Sequence, residues 1–145
     1  MNVYLDASAM VKSYIAETGS TEVRHLMTLA DMLATSLLSR VEVPAAIAKA
    51  VYVGWVERER AIAVLQIFRV QWPDYMRVQA TEALMALADT LACDQGLRGY
   101  DAVHLASAIT WQEVLGEPVT LATYDKQLWE AASRVGLVSW PKTLT

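Results

Sequence analysis

The sequence predicts an α/β fold built on a parallel sheet. Three observations carry that expectation. Short apolar runs, VYL near the start and VTLAT near the end, have the length of buried strands. Between them lie longer stretches with apolar residues at i, i+3, i+4 and i+7, the period of amphipathic helices. Strands that alternate with helices imply βαβ units. The length of 145 residues suits one domain, and no repeat, low-complexity tract or linker divides it.

Val3–Leu5 reads as the first strand, followed by a helix over Ala7–Ala16. Glu17-Thr18-Gly19-Ser20 breaks that helix, and Ser20 or Thr21 caps the next, where Val23, Leu26, Met27 and Ala30 share a face. Leu33–Thr35 is a second strand by position. Ser36–Val53 reads as a long helix with Pro44 inside it, expected to bend near its first turns. Gly54 ends it. Glu57–Val70 forms another helix, closed by Pro73, before a third strand at Tyr75–Val78. Thr81–Ala92 is a helix, Gln95–Gly99 a loop, and Tyr100 or Asp101 opens a helix that runs to about Val114. Gly116 and Pro118 separate that helix from the strand VTLAT. A helix over Tyr124–Val135 and a strand at Leu137–Ser139 complete the chain.

Composition excludes several functions. Apolar residues make up 54% of the chain, which places it among folded proteins. Charges interrupt every apolar run before it reaches membrane-spanning length, and the N-terminus has no basic stretch leading an apolar signal core, so a cytoplasmic protein without a membrane partner is expected. One cysteine, Cys93, and two histidines, His25 and His104, are too few for a thiolate or imidazole metal cage. Any metal would be held by oxygen. The net charge of −4 disfavours a protein that simply coats nucleic acid, though not an enzyme whose cation neutralises an acidic site.

Ligand sites in parallel α/β sheets form beyond the carboxyl ends of the strands. Asp6 follows the strand VYL, and Asp125 follows VTLAT. Glu42, in LLSRVEVPAAI, and Asp101, in LRGYDAVHLASA, lie near helix starts, which can face the same rim. Each acid has a purely structural explanation. Asp6 and Asp125 suit helix caps, Asp101 suits a helix dipole, and Ser39-x-x-Glu42 fits a capping box. If the four converge, their mutual repulsion calls for protons or a hard divalent cation, Mg²⁺ or Mn²⁺. Such an ion activates water and neutralises charge on a departing oxygen, the requirements of phosphodiester hydrolysis. Ser8 and Thr123, each two residues from a strand-end acid, supply hydroxyls that can orient ligands or cap helices.

YLDASAMVK, SRVEVPAAI, LRGYDAVHLASA and LATYDKQL, in that order and spacing, resemble the four acidic motifs of PIN domains. The likeness is closest to the toxin ribonucleases of VapBC-type toxin–antitoxin modules. It spans the chain from Met1 to the last helix, and D-A-V-H-L-A is its strongest piece. The resemblance implies a three-layer α/β/α sandwich with a short central parallel sheet. It implies Mg²⁺- or Mn²⁺-dependent endoribonuclease activity on RNA, a cognate antitoxin that blocks the site, and a homodimer. Carried onto this chain, Asp6, Glu42, Asp101 and Asp125 are the catalytic, metal-binding tetrad, and Thr123 is the motif's hydroxyl residue.

Two other readings stand beside this one. The chain is alternatively a non-catalytic α/β interaction module whose acids are only caps, or a metal-dependent phosphatase or DNA nuclease. Asp6-Ala-Ser8 lacks the D-x-D of a haloacid-dehalogenase-like phosphatase, and ASAM lacks the glycines of a Rossmann turn.

Among the cations near the acids, Arg98, Lys12 and Lys126 are candidates to hold substrate phosphates, with Arg40 a further neighbour; each also suits a solvated surface charge or a local ion pair. His104, one helical turn past Asp101, reads as a packed, hydrogen-bonded residue. Most of Trp55, Trp72, Trp111, Trp129 and Trp140 read as packing residues. AVYVGWV, nearly uncharged at a helix end, is either core or a patch that receives an antitoxin helix.

Overall fold

The computed structural model describes residues 1–145. Strand β1 (Asn2–Leu5) is buried along its whole length. Its side chains alternate between two cores, with Val3 and Leu5 on one side and Tyr4 on the other. A strand covered on both faces must do this, because successive side chains point to opposite faces.

From β1, helices α1 (Ala7–Tyr14) and α2 (Ser20–Leu29) lead to β2 (Met32–Ser36). Helices α3 (Ser39–Tyr52) and α4 (Arg58–Gln71), with a 3-10 turn at Trp72–Asp74, lead to β3 (Met76–Val78). Helices α5 (Glu82–Gln95) and α6 (Gly99–Leu115) carry the chain back to β4 (Val119–Ala122), and α7 (Lys126–Arg134) leads to β5 (Val138–Trp140). All strands are parallel, in the order β3-β2-β1-β4-β5.

The chain therefore winds outward from β1 to β3, then returns to the other side of β1. Right-handed crossovers put the helices made before and after that reversal on opposite faces. One core joins Met10, Val23, Ile47, Val64 and Phe68 of α1–α4 to the sheet, and the other joins Leu84, Leu91, Leu105, Trp111 and Leu128 of α5–α7. This is the three-layer α/β/α sandwich that was expected. The reversal between β1 and β4 opens a crevice at their carboxyl ends, the place where such sheets bind ligands.

Local boundaries differ from the sequence reading in instructive ways. Helix α3 begins at Ser39, not Ser36, because Ser36 closes β2 and its Oγ accepts the Leu38 N–H at 3.0 Å. The capping box does not form: Ser39 is fully buried and its Oγ bonds Thr35 Oγ1 at 2.7 Å. Helix α3 then runs unbroken through Pro44 to Tyr52. Helix α5 extends to Gln95, so only Gly96, Leu97 and Arg98 connect it to α6, and buried Leu97 anchors that connection. Between α1 and α2, Gly19 has φ 94°, and a Cβ there would stand 2.6 Å from Tyr124 Oη. Only glycine permits that approach.

Candidate active site

The two strand-end acids are both helix caps. Asp6 Oδ1 accepts the Ala9 N–H at 2.9 Å, which caps α1, and the Ser8 hydroxyl at 2.7 Å. Its Oδ2 accepts the Thr123 hydroxyl at 2.5 Å. Thr123 Oγ1 in turn accepts the Asp125 N–H at 3.0 Å, and Ser8 Oγ accepts the Tyr124 N–H at 3.0 Å. The carboxyl ends of β1 and β4 are thus stitched together by Asp6, Ser8 and Thr123. Asp125 divides its oxygens: Oδ1 caps α7 through the Leu128 N–H at 3.0 Å, and Oδ2 turns away from the helix to meet Arg98.

The two helix-borne acids are held by side chains instead. Asp101, in the first turn of α6 and 3% exposed, bonds Arg98 Nε through Oδ2 at 3.2 Å. The same guanidinium reaches Asp125 Oδ2 through Nη2 at 2.7 Å and lies over the Tyr100 ring. Glu42, on α3, bonds His104 Nε2 through Oε1 at 2.6 Å. His104 is one turn beyond Asp101 on the same face of α6, and its Nδ1 meets Tyr4 Oη at 2.8 Å.

Asp6, Glu42, Asp101 and Asp125 line one cavity of about 230 Å³, with Ala7, Ser8, Arg98, Tyr100 and His104 completing its wall. The apolar sandwich beneath shapes the electrostatics. Burial pushes the Asp6 carboxyl above its ordinary range, opposed by His104 and by the bonds from Thr123, Ala9 and Ser8. Burial and the nearby Asp125 charge push Asp101 up to about 6, with Arg98 opposing. In both, burial is the largest cause, so the site holds its carboxylates where ionisation is costly.

With Arg98 spanning Asp101 and Asp125, and His104 on Glu42, no three acidic or imidazole groups take up the spacing of a preformed metal cage. The donor chemistry nevertheless fits a hard divalent cation: four carboxylates from four elements and no thiolate. Arg98 is 57% exposed in its side chain, so the cation now facing Asp101 and Asp125 is a surface arm rather than a core group.

The remaining residues singled out in the sequence divide clearly. Arg98 lines the cavity, whereas Lys12, Lys126 and Arg40 do not. Lys12 Nζ bonds Glu17 Oε1 and the Thr18 carbonyl and lies over the Tyr124 ring, which ties the α1–α2 turn to the start of α7. Lys126 is exposed at the first residue of α7. Trp72 and Trp111 are buried and Trp55 is 83% exposed. AVYVGWV is therefore surface, with Tyr52 91% exposed. Tyr100 in the cavity wall and Tyr4 behind His104 were not anticipated. A tyrosine between Val3 and Leu5 in a buried strand was the one available signal for Tyr4.

No family model matches the chain. Curated relatives do. It is 32% identical over 141 residues to ribonuclease VapC47 of Mycobacterium tuberculosis, covering 94% of each chain. It is 34% identical over 135 residues to ribonuclease VapC45 of the same species, covering 92% of this chain and 91% of that one. Among solved structures, a toxin–antitoxin complex from Klebsiella pneumoniae superposes with a TM-score of 0.69 at 17% identity, covering 94% of this chain and 96% of that one. PAE2754 from Pyrobaculum aerophilum gives 0.66 at 19% identity, with 96% and 83% covered. The structural likenesses establish the fold.

Proposed function

The chain belongs to the VapC family of PIN-domain ribonucleases, and from that premise we propose that it is a divalent-cation-dependent endoribonuclease toxin, held in check by an antitoxin. The observation that carries this reading is the meeting of Asp6, Glu42, Asp101 and Asp125 at one cavity beyond the strand ends where the sheet order reverses. Relatives named as ribonucleases over nearly the whole length support the reaction class.

The four carboxylates hold the cation, Mg²⁺ or Mn²⁺, which when bound supplies Lewis acidity toward a phosphodiester and an attacking water. Ser8 and Thr123 fix the Asp6 carboxylate, so its charge is aimed before substrate arrives. With a cation bound by the carboxylates, Arg98 would be free of Asp101 and Asp125 and would stand beside the cavity to pair with a substrate phosphate. In the reaction, water oxygen bonds to phosphorus, one P–O ester bond breaks, and the proton ends on the departing oxygen.

An antitoxin segment covers a second, apolar cavity of about 400 Å³ between α1, α3 and the approach to α4. Val11, Ile15, Ile47, Trp55 and Val56 line it. Solved proteins of this fold in complex with antitoxins support a partner of that kind. The working toxin is a homodimer, which gel filtration with light scattering tests.

Purified protein incubated with single-stranded RNA, single-stranded DNA and a simple phosphate ester tests the activity. RNA cleavage in Mn²⁺, lost in EDTA, is expected. Cleavage of DNA alone, or of the ester alone, would contradict the reading, as would RNA cleavage that persists in EDTA.

A further inference from the structure

Tyr4 is a polar side chain at the most covered point of the sheet. It lies on the central strand and is fully buried. Phenylalanine would pack there without hiding a hydroxyl, and a buried hydroxyl without a partner is destabilising. The hydroxyl's partner is His104 Nδ1, 2.8 Å away, and His104 is itself only 1% exposed. Its other nitrogen, Nε2, stands 2.6 Å from Glu42 Oε1 at the cavity wall. A chain of hydrogen bonds therefore runs from the middle of the sheet to one carboxylate of the site.

The direction of that chain follows from donor and acceptor chemistry. An ionised Glu42 only accepts, so His104 Nε2 carries the hydrogen. On the other side of the ring, Nδ1 and the Tyr4 hydroxyl share the second hydrogen bond. The buried contacts on both ring nitrogens fix the orientation of the imidazole.

Glu42 is the acid most in need of such help. Asp6 and Asp125 accept backbone N–H groups, and Asp101 sits in the first turn of a helix with Arg98 beside it. Glu42 has a longer side chain and no bond from the backbone; its hydrogen-bond partner is His104. Because His104 follows Asp101 by one turn of α6, a single helix sets one acid directly and a second through the imidazole.

We propose that Tyr4 and His104 are positioning residues, a buried relay that aims the Glu42 carboxylate at the divalent cation. The inference rests on the proposed cation-dependent activity. It concerns how the site is built rather than which reaction it runs.

The test is the affinity of the full chain for Mn²⁺, followed by electron paramagnetic resonance, with RNA cleavage measured alongside. His104→Ala lowers Mn²⁺ affinity by about 10–100-fold, the usual effect of losing a group that supports a metal ligand. His104→Gln, whose amide can still donate to Glu42, recovers most of that loss. Tyr4→Phe keeps the packing and loses part of the affinity, and its kcat falls more than its KM changes. Wild-type affinity in Tyr4→Phe and His104→Ala overturns the relay, and so does a His104→Gln variant as weak as His104→Ala. Where His104→Ala does not fold, Tyr4→Phe decides: wild-type Mn²⁺ affinity and kcat overturn the relay. If the unaltered protein binds no Mn²⁺, the proposed function falls and the relay with it. If it binds and the variants match it, only the relay falls.

Discussion

The strand-end half of the cavity and its helix-borne half hold their carboxylates by different means. On the strand side, Asp6 and Asp125 each accept a backbone N–H as the cap of the following helix. Their directions are inherited from β1, β4 and the helices themselves. On the helix side, Glu42 and Asp101 depend on His104 and Arg98, two side chains that substitution can remove without touching the backbone. The strand side is therefore built into the fold, whereas the helix side is adjustable. Arg98 joins the two halves, since the same guanidinium pairs with Asp101 on the helix side and Asp125 on the strand side.

The largest expected effect comes from removing charge on the rigid side while keeping its geometry. Asparagine caps helices as well as aspartate does, so Asp6→Asn retains the bond from Ala9 and changes stability by less than about 1 kcal/mol. Cleavage of RNA nevertheless drops beyond the roughly 100-fold range typical of supporting residues. Melting curves and turnover measured on one preparation separate the two effects. Equal losses of stability and activity would show that Asp6 is only a cap.

Arg98→Ala probes the adjustable side, with an effect of smaller size and opposite sign. Without the guanidinium, Asp101 and Asp125 lose their bound cation and repel. The EDTA-treated protein melts at a lower temperature than the unaltered one, and the gain in Tm on adding Mn²⁺ is larger. A smaller gain than in the unaltered chain would mean that Arg98 helps hold the ion rather than competing with it.

Asp101 predicts a pH dependence of the metal-free protein. Its carboxyl is pushed up to about 6 in the fold, against about 3.9 in an unfolded chain. Between those values the folded state binds the extra proton, so this group's contribution to stability falls as pH rises from about 4 to 6 and is regained on acidification. In EDTA, the unaltered protein gains more Tm than Asp101→Asn when pH is lowered from about 7 to about 5. Parallel curves for the two proteins would remove Asp101 from the account.

The smallest effect belongs to the stitching hydroxyls. Ser8→Ala leaves the Tyr124 N–H without its acceptor and removes one bond to Asp6, at a cost of about 1–2 kcal/mol in denaturant titration. Cation affinity changes little, because Ala9 and Thr123 still hold Asp6. A loss of cation affinity as large as that expected for His104→Ala would show that the strand side is less rigid than its bonds suggest.

The sequence exposed whatever is local. Asp6 and Asp125 could be read because a carboxylate directly after a buried strand sits at a rim whatever the remaining topology. The sandwich was legible because helical and strand periods alternate along the chain. Partnerships that cross the fold were not legible. Tyr4 and His104 are 100 residues apart, and His104 and Glu42 are 62 apart, so nothing in either neighbourhood announces the relay. Lys12, close to Asp6 in sequence, suited either a substrate phosphate or a surface charge or local ion pair, and the fold selects the ion pair. The α1–α2 turn folds Glu17 and the Thr18 carbonyl back onto it. The early start expected for α3 failed for a similar reason: the Ser36 hydroxyl was a plausible cap, and sheet pairing with β3 claimed the residue first.

The most direct test of the account is the stoichiometry of Mn²⁺ binding at neutral pH, measured by titration calorimetry on the unaltered chain and on Asp6→Asn. The account predicts at least one ion bound per chain, competed by Mg²⁺, and binding lost in Asp6→Asn while its circular dichroism stays that of the unaltered protein. A folded, unaltered chain that binds no ion, or an Asp6→Asn protein that binds it equally well, would contradict a cation site built from these four carboxylates.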